Sequence, residues 1–94
     1  MYAVVRQYAR AEDLADAMER QSDEVEALVT GVSGFVAYYA VRAGDSLTSI
    51  TVCQDRAGTL DSTRRAAEWV RLNSLATAGM TLDVTDGEVI LSFQ

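Results

Sequence analysis

Alternation of strand, helix, strand, strand, helix and strand predicts an α+β domain in which two helices cover one face of a four-stranded antiparallel sheet. Three observations carry that prediction. Gly44-Asp45 separates two runs of strand-forming residues and marks a central hairpin. On either side of the hairpin, one segment changes its apolar period from about 2 to about 3.6 residues. Residues 35–41, FVAYYAV, are apolar almost throughout, so both faces of that strand call for burial.

The elements follow in order. YAVVRQY, residues 2–8, is rich in β-branched and aromatic residues and reads as a strand. Residues 11–29 predict one amphipathic helix. Leu14, Met18, Gln21, Val25 and Leu28 recur at spacings of three and four, while Asp13, Asp16, Arg20, Asp23 and Glu24 fall opposite, and Gly31 marks the stop. GFVAYYAVR, residues 34–42, and LTSITVCQD, residues 47–55, form the hairpin. Pairing across its turn sets Phe35, Ala37, Tyr39 and Val41 beside Ile50 and Val52. The same pairing sets Val36, Tyr38 and Ala40 beside Leu47, Ser49, Thr51 and Cys53.

The second helix contains RRAAEWVRLN, residues 64–73, with Thr59, Asp61 or Ser62 as its cap and an end near residue 75. Thr63, Ala66, Ala67, Val70 and Ser74 form its inward stripe, Trp69 and Asn73 one edge, and Asp61, Arg64, Arg65 and Glu68 a solvated face. Past Gly87, EVILSF at residues 88–93 reads as the last strand. This order is the split βαβ, or ferredoxin-like, βαββαβ motif, one domain over residues 1–94. Only one sheet face can meet the helices. The other calls for a second sheet, which a homodimer joined through sheet faces would supply.

Composition narrows the function. A net charge of −6 and eight scattered arginines argue against nucleic acid and anionic membrane surfaces as partners. No signal peptide or membrane span is visible, which makes a cytoplasmic location the expectation. The chain has no His and a single Cys, Cys53, so the usual metal ligands and the commonest general base are missing and no metal or cofactor is expected. No nucleophile triad or glycine-rich phosphate loop appears.

MYAVVRQY, GFVAYYAV with GDSLTSITV, and DRAGTLDSTRRAAEWVR together resemble small bacterial antibiotic biosynthesis monooxygenase-like proteins. The resemblance covers nearly the whole chain and implies a dimeric α+β barrel. It also implies kinship with cofactor-independent oxygenases of polyphenolic anthrones and with haem-degrading enzymes, whose pockets lie between helices and sheet. The chain departs from the haem-degrading pattern in having no His to hold iron. It has no matching copy of the anthrone oxygenases' catalytic set, so no catalytic residue is assigned.

Five residues are candidates for such a pocket: Gln21, Tyr38, Tyr39, Trp69 and Asn73. Gln21 lies within an apolar stripe, where its amide either bonds a neighbouring backbone group or tyrosine, or points into a cavity. The tyrosines are core or interface residues, or else donors to a phenolate or enolate. Arg6, in an apolar strand, needs a partner. It is a candidate anchor for an anionic substrate, or else a partner for Asp55 or Glu88 at a dimer interface. Two functions are open on these grounds: oxygenation of an aromatic or polyketide-like small molecule, and a non-catalytic dimeric module that binds a small ligand or supports a partner.

Overall fold

The computed structural model describes residues 1–73 and 78–94. In chain order it contains β1 (Tyr2–Ala9), α1 (Glu12–Arg20), α2 (Ser22–Thr30), β2 (Phe35–Ala43), β3 (Ser46–Cys53), α3 (Arg56–Leu72) and β4 (Thr81–Glu88). The strands form one antiparallel sheet in the order β2-β3-β1-β4, the ferredoxin-like arrangement expected from the element order. Ser74, placed on the inward stripe of the second helix by its spacing, lies outside the described residues.

Alternation along β1 turns Val4, Arg6 and Tyr8 toward the helices, where all three are buried. Leu47, Ser49, Thr51 and Cys53 of β3 share that face. Leu14, Ala15 and Ala17 of α1 complete a core with Tyr8, Ala11, Leu47 and Trp69. The hairpin turns through Gly44 at φ 61°, a left-handed conformation that favours glycine. Its register sets Tyr39 opposite Ile50, and Tyr38 opposite Thr51, as the pairing argument required. An irregularity between Phe35 and Ala37 alters the start of β2. Phe35 therefore pairs with Cys53 on the helix side, not with the Ile50 and Val52 row, because one extra residue reverses which face a side chain takes.

Three expected boundaries shift. The long first helix is two helices, broken at Gln21, whose φ of −114° and ψ of 37° leave the helical range. Gln21 N still donates to Ala17 O at 2.9 Å, and Val25 N to Gln21 O at 3.0 Å. Gln21 thus closes α1 with its N–H and opens α2 with its carbonyl, so the two helices follow each other without an intervening loop and the apolar spacing runs on.

The α3 helix starts earlier than expected, at Arg56, because Asp55 is the cap and its Oδ1 accepts from Gly58 N at 3.2 Å. Thr59 and Ser62 are buried toward the sheet, not placed at a cap. Gly58 permits this approach, since a Cβ there would stand 2.8 Å from both Cys53 Cβ and Ser33 O.

The last strand is TLDVTDGE, and of EVILSF only Glu88 belongs to it. The strand pairs with β1 from Thr81 opposite Ala9 to Glu88 opposite Tyr2. There β1 ends. After Val89 N donates to Met1 O at 2.9 Å, the more apolar tail has no strand of its own chain left to pair with, and Ile90, Leu91 and Phe93 stay exposed. The sheet face away from the helices is also uncovered: Tyr39 is 59% and Val41 54% exposed.

Candidate functional site

Arg6 lies at the centre of the helix-facing side of the sheet and is only 2% exposed. Its Nε donates to Ser49 Oγ at 3.0 Å and its Nη2 to Thr51 Oγ1 at 2.6 Å. Its Nη1 reaches α3, donating to Ser62 Oγ at 3.2 Å and Thr63 Oγ1 at 2.9 Å. All four acceptors are neutral hydroxyls. The interface ion pair with Asp55 or Glu88 that sequence allowed is not formed: Asp55 caps α3, and Arg6 points into the protomer. Burial lowers the Arg6 pKa from its ordinary value, yet a guanidinium stays protonated at any physiological pH.

Beside Arg6 is a cavity of about 40 Å³ between helices and sheet, whose polar lining is Arg6, Tyr8, Tyr38, Ser49, Ser62 and Arg65. Val25, Leu28 and Val29 of α2, with Ala66, Trp69 and Val70 of α3, supply most of its apolar wall. A wider groove of about 490 Å³ runs between the first two helices and β2. Met18, Val25, Val29 and Tyr38 line both spaces, so Tyr38 stands where groove and cavity meet. Burial pushes the pKa of Tyr8 and Tyr38 above the ordinary tyrosine value, with Arg6 pulling both back. Both are therefore neutral phenols at physiological pH, able to donate a hydrogen bond.

The candidates read from sequence separate. Arg6, Tyr38 and Trp69 converge on the cavity. Trp69 is buried in the core, not placed at a helix edge, and its Nε1 donates to Glu24 Oε1 at 2.9 Å. Tyr39 is on the opposite face of the sheet. Asn73 ends α3, its Nδ2 donating to Trp69 O at 2.8 Å. Gln21 lines neither the cavity nor the groove, and its buried Oε1 has no partner among the described residues.

Of the small residues on α3, Ala66 lines the cavity and Ala67 is exposed. Sequence reasoning missed Tyr8 and the hydroxyls of Ser49, Thr51, Ser62 and Thr63. A signal was present for two of them, because Ser49 and Thr51 alternate onto the face of β3 that pairs beside Arg6.

No family model matches the chain, and no curated protein matches it in sequence. Solved structures match it over nearly its whole length. SnoaB, a cofactor-independent oxygenase from Streptomyces nogalater, aligns with a TM-score of 0.69 at 14% identity, covering 97% of this chain and 94% of its own. A Deinococcus radiodurans protein classed by inference as an antibiotic biosynthesis monooxygenase gives 0.66 at 8% identity, covering 100% and 97%. The chain has the fold of antibiotic biosynthesis monooxygenase-like proteins. A dimeric ferredoxin-like protein from an uncultured marine organism shares it too, with a TM-score of 0.66 at 8% identity and coverage of 100% and 99%. At such identities the likeness carries the scaffold, and activity must be argued from the site.

Proposed function

We propose that the protein is a monooxygenase-like enzyme that oxygenates an electron-rich aromatic or polyketide-like molecule without a cofactor, working as a homodimer joined through its sheet faces. The observation that carries this reading is Arg6, a buried cation held only by hydroxyls and lining a mostly apolar cavity. A fixed positive charge in a desolvated site stabilises an oxyanion far more than the same charge in water. An enol or phenol whose oxygen reaches Arg6 would therefore ionise more readily there. SnoaB, described as a cofactor-independent oxygenase, lends the reading support from a shared scaffold.

The two spaces suit different parts of such a substrate. The groove of about 490 Å³ is within the usual range for small-molecule sites and has room for fused rings. The cavity of about 40 Å³ has no room for a ring, but takes an oxygen substituent or dioxygen. No carboxylate lines the cavity, and the chain has no His, so the substrate proton would leave to water while Arg6 holds the charge behind it. The resulting carbanion gives an electron to dioxygen, a C–O bond forms, and the hydroperoxide loses water. A CH2 carbon becomes C=O, with one oxygen atom retained and the other released as water.

The uncovered sheet face, with Tyr39 and Val41 exposed, supports the dimer. So does the dimeric ferredoxin-like protein that shares the fold.

The test is oxygen uptake with a hydroxylated anthrone as probe, followed together with quenching of Trp69, the single tryptophan. The expected result is uptake that falls by about 100-fold or more in Arg6→Met. Quenching without any uptake above the uncatalysed rate would overturn the enzyme reading and leave a ligand-binding module, which the lack of a base in the cavity favours.

A further inference from the structure

Arg6 presents a charge imbalance that exists before any substrate arrives. Its four hydrogen bonds go to Ser49, Thr51, Ser62 and Thr63, and none of these acceptors carries charge. Ser62 is further fixed by donating its own proton to Thr59 O at 2.7 Å, which leaves its lone pairs toward Arg6. No ion pair among the described residues includes Arg6, and residues 74–77, Ser-Leu-Ala-Thr, contain no acid.

Two carboxylates on neighbouring elements are paired with other arginines. Asp61 accepts from Arg64 and Arg65; Asp86 accepts from Thr59 at Oδ2, and its Oδ1, which has no hydrogen bond among the described residues, faces Arg56 at 4.0 Å. Three other groups close to Arg6 could in principle ionise to balance it: Tyr8, Tyr38 and Cys53. Burial pushes each of them up, toward its uncharged form. A partner protomer docked on the far sheet face would not reach Arg6, which points the other way.

A guanidinium withdrawn from water with no counter-charge is unfavourable. It has five N–H donors, and the four bonds leave one on Nη2 without an acceptor among the described residues. The adjoining cavity of about 40 Å³ exceeds the space one water needs and matches a halide or a three-atom carboxylate. It is small for a sulfate or phosphate with its hydration. Glu19 and Glu26 on the groove, together with the net charge of −6, further disfavour a dianion.

We propose that the resting protein binds a compact monovalent anion from solution, of halide or formate size, in this cavity against Arg6 Nη2, and that an ionised ligand entering from the groove displaces it. This site does not depend on the oxygenase reading, since the charge imbalance is present whatever reaction is run.

Thermal unfolding tests it directly, with sodium formate or sodium bromide replacing sodium sulfate at constant ionic strength. Sulfate stabilises proteins by exclusion, so its replacement alone lowers Tm. A bound anion instead raises Tm, by about 4 °C or more once its concentration exceeds Kd several-fold, and the rise follows a saturable curve. Arg6→Met should abolish that rise. Anomalous scattering from bromide-soaked crystals of the unsubstituted protein should place bromide in contact with Arg6 Nη2, which decides the matter even if Arg6→Met does not fold. No saturable rise, an equal rise in a folded Arg6→Met, or no bromide at Arg6 would each overturn the proposal. Loss of the oxygenase reading through absent oxygen uptake leaves these measurements unaffected.

Discussion

Trp69 and Glu24 clasp α3 to α2, the indole Nε1 donating to Glu24 Oε1 at 2.9 Å even though Glu24 is on an exposed helix surface. The two helices also form much of the cavity's apolar wall. A hydrogen bond to a charged group contributes about 1.5–3 kcal/mol when buried, but solvent at the carboxylate reduces this to about 1. Glu24→Ala should cost about that much in denaturant unfolding and shift Trp69 emission to the red. Glu24→Gln, which retains an acceptor oxygen, should lose less. Equal stability of all three proteins would remove the clasp from the account.

The exposed face around Tyr39 and Val41 predicts self-association. Sedimentation at micromolar concentration should give about twice the 10.2 kDa chain mass. Tyr39→Asp puts a charge on that face and should yield a monomer or an insoluble chain, because the dimer would bury it unpaired. A stable monomer for the unsubstituted chain would exclude the sheet-to-sheet dimer.

Ala66 and Ala67 are adjacent in sequence and differ in environment, so one substitution at each separates cavity from surface. Ala66→Leu projects into the cavity and should abolish quenching of Trp69 by a hydroxyarene, at a cost of about 1–3 kcal/mol if the added carbons exceed the space. Ala67→Leu should change stability by no more than about 0.5 kcal/mol. Retained quenching in Ala66→Leu would place the ligand elsewhere.

Gly58 sets helix propensity against packing. Alanine favours a helix over glycine by about 1 kcal/mol, but a Cβ at this position would stand 2.8 Å from Ser33 O and Cys53 Cβ. Backbone cannot yield as a flexible side chain does, so Gly58→Ala should lower Tm. A rise would mean that α3 can lift from the sheet without cost.

Tyr8 and Tyr38 should titrate late. Burial raises both above the ordinary value of 10.0, Arg6 opposing it. The folded state therefore holds these protons more tightly than the unfolded chain. The associated stability is fully present below pH 10 and is lost as pH rises through the folded values. Phenolate absorbance should show a late component that Tyr8→Phe and Tyr38→Phe each diminish. A single titration step unchanged by either substitution would contradict the buried placement.

Local pattern was enough for the order of strands, the hairpin and its register from Ala37 onward, because a two-residue turn at Gly44-Asp45 fixes which residues of β2 and β3 face each other until the irregularity after Phe35. It also marked Arg6 as a charge in need of a partner. What it did not carry depended on where elements end and how they meet. Periodicity hid the bend at Gln21, because that single residue ends α1 and begins α2 with no loop between them. Hydrophobicity favoured EVILSF as the last strand, whereas β1 runs out at Tyr2 and can pair only with the less apolar TLDVTDGE.

Tertiary structure alone decided the partners of Arg6. Ser62 and Thr63 lie 56 and 57 residues away, and they meet the guanidinium only because Gly58 lets α3 settle on the sheet. Spacing along the chain tells which face a residue occupies, and that much was determined by sequence. The distance between two faces is set by how closely their backbones can approach, which depends on contacts between elements remote in sequence.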